Sequence, residues 1–141
     1  MKKIILIMLG LSISLVATME RNSTTGIVTD SVTTLQWQDN TALTNQTWAD
    51  AIIYCEGLVL SGYSDWRLPN INELTSLIDY TYSNSTWFFP AFVSDPSLYY
   101  WSSTTDVRYS GNAWFVHFHN GLQYRYDKSN SYYVRCVRAG Q

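Results

Sequence analysis

The stretch from Ser64 to Asp79 constrains the fold more than any other: Ser64-Asp65-Trp66-Arg67-Leu68-Pro69-Asn70-Ile71-Asn72-Glu73-Leu74-Thr75-Ser76-Leu77-Ile78-Asp79. Pro69 has no amide to give a helix and restricts the residue before it, so no helix crosses this point. Asn70 is a strong N-cap, and Glu73 stands three residues on, where its carboxylate reaches back to the Asn70 amide. Ile71, Leu74, Leu77 and Ile78 recur at helical spacing on one face. The stretch therefore predicts a tight turn carrying Trp66 and Leu68, then a short helix to about Asp79 laid on a core. Trp66, Arg67 and Glu73 are read as structural residues of that turn.

A second helix start lies upstream. Thr47 is a cap with Asp50 three residues on, and Trp48, Ala51, Ile52 and Cys55 share one face. Gly57 weakens its last turns, and Gly62 is the expected stop. The remaining periodic segments alternate and read as strands: Ile27-Val28-Thr29, Thr34–Gln38, Leu98–Ser103, Ala113–His119, Leu122–Tyr126 and Tyr132–Arg138. Asn120-Gly121 marks a hairpin. Residues 80–97 hold Tyr80, Tyr82, Trp87, Phe88, Phe89, Pro90, Phe92 and Pro96 without a clear period. A loop of that length in a compact domain is usually functional.

The chain opens with Met1-Lys2-Lys3, an apolar run from Ile4 to Val16, and then Ala17-Thr18. This is the pattern of a secretory leader, expected to span 1–17 and to direct the product to the periplasm, the cell surface or the medium. The run is too short for a transmembrane helix. Residues 18–25 are polar and are expected to form a flexible lead-in to a domain at 26–141. Without Lys2 and Lys3 the chain holds seven basic residues against eleven acidic ones, a net charge near −4. An acidic surface argues against nucleic acid and other polyanions as partners. The one basic concentration, Arg125, Lys128, Arg135 and Arg138, reads as a solvated strand face.

Two cysteines are present, Cys55 and Cys136. In an exported chain such a pair is most simply a disulfide, closing a loop of roughly 80 residues. A redox or metal-binding pair of thiols is the alternative, although the spacing is not C-x-x-C. His117 and His119 fall two apart on one strand face and would chelate a transition metal if a third ligand stood near. No third histidine exists, and the scattered acids Asp95, Asp106 and Asp127 form no calcium loop. No cofactor or metal is expected. No serine-hydrolase, P-loop or zinc-protease motif occurs.

Five motifs together resemble a known family. They are Ile27-Val28-Thr29-Asp30, Leu35-Gln36-Trp37-Gln38, Gly62-Tyr63-Ser64-Asp65-Trp66-Arg67-Leu68-Pro69 with Glu73-Leu74, Tyr100-Trp101-Ser102-Ser103, and Tyr133-Val134-Arg135-Cys136-Val137-Arg138. In this order they are similar to a bacterial domain of unknown function, also called the Lcl C-terminal domain after a collagen-like adhesin. The resemblance covers about residues 26–138. It implies an α+β, C-type-lectin-like fold: two short helices packed on a small twisted antiparallel sheet with a long loop region. It also implies a disulfide from the first helix to the last strand, where Cys55 and Cys136 stand. Some members bind glycans or mediate adhesion. The collagen-like repeat of the namesake is missing, and the acidic charge departs from a polyanion binder. The fold so implied is also that of formylglycine-generating enzymes, whose active cysteine pair has no counterpart here beyond Cys55 and Cys136.

The function expected is a secreted or surface-exposed ligand-binding or adhesion module for a glycan or protein ligand. Trp87, Arg108, Tyr109 and Asn112 are its candidate contact residues, because aromatic stacking with side-chain hydrogen bonds gives affinity without a cofactor. A structural or assembly component of an exported complex is the alternative, and an enzyme comes third.

Overall fold

The computed structural model describes residues 18–40, 44–80, 91–93 and 98–140. The leader at 1–17, Trp87 and most of the 80–97 loop lie outside the described residues.

Two sheets form, not one. The first orders its strands β1(Met19–Asn22), β2(Ile27–Asp30), β3(Gln36–Gln38) and β9(Val137–Arg138). The second runs β4(Asn45–Gln46), β8(Tyr132–Tyr133), β5(Tyr99–Thr105), β6(Asn112–His117) and β7(Leu122–Asp127). All pairings are antiparallel except β5 with β8, which is parallel. Helices α1(Trp48–Glu56) and α2(Ile71–Thr75) complete a small α+β domain.

The Pro69 stretch forms as its residues dictate. Asn70 caps α2 and accepts from the Glu73 amide at 2.9 Å, while the Glu73 carboxylate accepts from the Asn70 amide at 2.9 Å. Trp66 and Leu68 are buried, and Leu74, Leu77 and Ile78 follow them inward. The helix is shorter than its apolar spacing predicts: it closes at Ser76, and a turn delivers Leu77 and Ile78. In α1 the Thr47 side chain accepts from the Asp50 amide, and Ala51 and Cys55 are buried. This helix ends at Gly57 rather than Gly62, because the Gly57 amide already turns back onto Ile53 and Cys55 carbonyls. Gly62 instead serves the turn closed by Leu60 and Tyr63, at φ +82°.

Residues 18–25 are not a loose lead-in. Met19–Asn22 pairs with β2 as an edge strand. Arg21 Nε reaches Asp39 Oδ2 at 2.7 Å, which ties that strand to the interior.

The final segment departs most from its pattern. Tyr132–Arg138 alternates like one strand, yet β8 belongs to the second sheet and β9 to the first. Between them Arg135 turns inward and is fully buried, donating to Gln38 O at 2.7 Å and Asp39 Oδ1 at 3.0 Å. Its guanidinium lies 4.4 Å from the Phe92 ring centre. Arg138 is also buried, paired with Asp65 at 2.7 Å and stacked on Tyr63. Lys128 sits 3.9 Å over Trp48, and Arg125 pairs with Asp106 at 3.2 Å. The four basic residues are therefore each tied into the scaffold and share no single solvated face; of the four, Arg125 stays 41% exposed on β7. A guanidinium drawn inside needs a carboxylate partner, and Asp39 and Asp65 come from segments far upstream.

Two apolar clusters fill the space between layers. One joins Val28, Trp37 and Val137 of the first sheet to Leu74, Leu77, Tyr100, Val116 and Phe118. The other joins Ala51 and Cys55 of α1 to Trp66, Leu68, Trp101, Ala113, Phe115 and Cys136. Cys55 and Cys136 form a disulfide with a Cα separation of 5.5 Å, fixing α1 to the segment entering β9.

Candidate functional site

Arg108, Tyr109 and Asn112 come together on the turn between β5 and β6. The Arg108 amide donates to Asp106 Oδ1 at 3.0 Å, and the Asn112 amide to Tyr109 O at 2.8 Å. Arg108 and Tyr109 are exposed and Asn112 is half-buried. None of them lines the concavity that the sheet carries elsewhere.

That concavity lies on one face of β5–β8. Pairing places Tyr99 opposite His117, Trp101 opposite Phe115, Phe115 opposite Tyr124 and Ala113 opposite Tyr126. Paired residues share a face, so an aromatic row forms across the strands, and Tyr132 of β8 joins it. The α1 side of this row is covered through Trp101 and Ala113. The rest stays open as a groove of about 440 Å³, lined by Tyr99, Phe115, His117, Tyr124, Tyr126 and Tyr132, with Asn120 and Arg125 at its margin.

Ring contacts fix the floor. Phe115 meets Tyr124 at 5.7 Å and Tyr132 at 4.7 Å between centroids, and Tyr99 stacks on His117 at 4.2 Å. Tyr99, Tyr124 and Tyr126 remain 42%, 40% and 54% exposed. Asn120 Nδ2 donates to Tyr124 Oη at 2.9 Å, which orients that phenol. Burial pushes the Tyr132 phenol up, and Tyr126 and Tyr99 beside it add to the rise, so it stays protonated at neutral pH. Among the described residues that line the groove there is no carboxylate. The groove can stack flat apolar faces on rings and trade hydrogen bonds with phenol, amide and imidazole groups.

His117 and His119 lie 5.8 Å apart between ring centres. Among the described residues no group of three or more His, Cys, Asp or Glu converges. Among the described residues no cysteine is free.

Sequence reasoning named Trp87, Arg108, Tyr109 and Asn112 but not the groove tyrosines. The signal was available: past Asn120-Gly121, Leu122, Tyr124 and Tyr126 alternate with Gln123 and Arg125, and their partners across the hairpin are His117, Phe115 and Ala113.

The motifs carrying the family resemblance build the scaffold beneath this groove. The Arg67 backbone exchanges two hydrogen bonds of 2.9 Å with Val137, Asp65 pairs with Arg138, and Ser103 N donates to Pro69 O at 2.7 Å. Arg138 also reaches the Gln36 side chain. Asp-Trp-Arg-Leu-Pro and Val-Arg-Cys-Val-Arg thus hold each other. The molecule is in class a small disulfide-clamped α+β domain presenting an aromatic sheet face. The Lcl C-terminal domain family matches residues 26–138, and the chain belongs to that family. No match was found among curated proteins.

Proposed function

We propose that this domain is an exported binding or adhesion module that takes a glycan on its tyrosine groove. The observation that carries the reading is the row of half-exposed Tyr99, Tyr124 and Tyr126 over a packed Phe115 floor. Rings already held in place bind with little loss of side-chain freedom. Sugar rings offer an apolar face for them and hydroxyls for Asn120 and the phenols. The absence of acids among the lining residues favours a neutral or weakly anionic ligand. The disulfide supports export, since such bonds persist in oxidising compartments. The two helices and the link from α1 to the entry of β9 support a C-type-lectin-like architecture.

The test is glycan-array and cell-surface binding of residues 18–141, with Tyr99→Ala, Tyr126→Ala and Tyr109→Ala beside the native domain. Tyr99→Ala and Tyr126→Ala lose at least tenfold in affinity while melting stays close to native, and Tyr109→Ala retains binding. Loss confined to Tyr109→Ala moves the contact surface to the β5–β6 turn. A native domain that binds no glycan and no surface refutes the proposal.

A further inference from the structure

Among the described residues strand β7 is the open edge of the five-stranded sheet, and all six of its residues are exposed. Natural edges are blunted by lysine, proline, inward charge or a bulge. Leu122-Gln123-Tyr124-Arg125-Tyr126 carries no lysine or proline, and its one cation is drawn onto Trp114 and Asp106.

Hydrogen bonds at both ends of the β6–β7 hairpin fix which backbone groups face outward. At one end Lys128 N donates to Gly111 O at 2.9 Å. At the other, Asn120 N and Gly121 N both donate to His117 O, with Gly121 at φ +66°. That is a type I turn followed by a left-handed glycine bulge. Antiparallel ladders alternate, so Tyr124 and Tyr126 bond to β6, while the Leu122 amide donates to Asn120 Oδ1 at 3.1 Å. The amides and carbonyls of Gln123 and Arg125 point away from the sheet.

We propose that a second copy of this chain occupies the edge, with two β7 strands paired antiparallel about a two-fold axis at Tyr124. In that register Gln123 and the partner's Arg125 exchange backbone hydrogen bonds, and the symmetry repeats the exchange. Tyr124 faces the partner's Tyr124, and Leu122 faces the partner's Tyr126, giving apolar cross-strand pairs on the groove face. On the opposite face Gln123, whose side chain already donates to Thr75 Oγ1 at 2.9 Å, lies beside the partner's Arg125. The two registers shifted toward Asp127 fail. Centring on Arg125 opposes two like charges. Centring on Tyr126 needs the Asp127 carbonyl, which already accepts from Asn130 N and Nδ2 at 3.1 Å each. The interface is isologous, as two-fold dimers require. It joins the two aromatic grooves across one seam, and it stands whether or not the groove binds glycan.

The test is sedimentation and disulfide trapping of residues 18–141 without ligand. The native domain sediments as a concentration-dependent dimer. Gln123→Pro, which removes an outward amide and the side-chain bond to Thr75 but no bond to β6, gives a monomer of unchanged circular dichroism. Non-hydrogen-bonded antiparallel partners have Cα atoms about 4.5 Å apart, within disulfide reach. Tyr124→Cys therefore crosslinks under mild oxidation at least tenfold faster than Gln123→Cys. A domain monomeric at every concentration, bare or with a foreign peptide strand on this edge, overturns the proposal. So do equal trapping rates, or a Gln123→Pro protein that still dimerises.

Discussion

Removing the Asp39 carboxylate probes the part of the fold where charge is held furthest from water. Asp39 accepts from Arg135 Nη1 at 3.0 Å, from Arg21 Nε at 2.7 Å and from the Val93 amide at 3.0 Å. The Asp39 and Arg135 side chains are both 0% exposed. Truncation to alanine leaves the Arg135 cation buried without this counter-charge. Breaking a buried pair in this way costs about 3–5 kcal/mol. Against a total stability of about 5–15 kcal/mol for a domain, that is about a fifth or more. For a chain of this size it corresponds to a fall in Tm of about 10–20 °C. The assay is urea unfolding followed by tryptophan fluorescence with the disulfide intact, on the native domain, Asp39→Ala, Arg135→Met and the double variant. The double variant is more stable than Asp39→Ala, because methionine fills the cavity and needs no counter-charge. Its cycle gives a coupling of about 2 kcal/mol or more. A loss below about 1 kcal/mol in Asp39→Ala, or no coupling in the cycle, refutes the view that this carboxylate neutralises the interior arginine.

Three more outcomes follow from the geometry. Replacing Cys55 and Cys136 by alanine opens a link across 81 residues and costs about 4.5 kcal/mol in the chain-entropy model, read as a lower urea midpoint. Asn70→Ala removes one half of the α2 cap and costs about 0.5–2 kcal/mol by the same measurement, while Asn72→Ala, on the exposed side of the helix, costs less. Burial pushes the Glu73 carboxyl up, but the Arg67 guanidinium and the Asn70 amide outweigh it and hold it below the ordinary 4.5. A lowered folded value means that its stabilisation is complete above pH 4.5 and fades as pH falls through the lowered value. The stability gap between native and Glu73→Gln thus narrows on acidification, and a gap constant from neutral to strongly acid pH contradicts it.

The local code was largely readable. Pro69, Asn70 and Glu73 wrote the cap of α2 without help from the rest of the chain, and Thr47 with Asp50 did the same for α1. Val116 and Phe118 pointed inward as their alternation required. Where long-range partners decided, the pattern misled. Arg135 looks like the solvent side of an alternating strand, but Asp39, 96 residues earlier in the chain, draws it in. The same pull breaks one apparent strand into β8 and β9 and sends them to different sheets. Met19–Asn22 looked like polar slack because its pairing with β2 lies across a turn, and its anchor, Arg21 to Asp39, is again non-local. The groove was missed for a related reason. Tyr99, Tyr124, Tyr126 and Tyr132 come from three strands, β5, β7 and β8, and only the register of the sheet puts them side by side.

Strands β1 and β9 are the two edges of the first sheet, and the described chain enters and leaves it at the same end. The Thr18 amide donates to Ser31 Oγ at 3.0 Å, and Gly140 presses so close to Thr34 that a Cβ there would sit 2.0 Å from the Thr34 carbonyl oxygen. Ser31 and Thr34 belong to the same short connection between β2 and β3. A tether attached at either end therefore pulls on the end of the sheet that carries this connection. A short peptide splice from 140 back to 18 would close the chain into a ring without disturbing the sheet that bears the tyrosines.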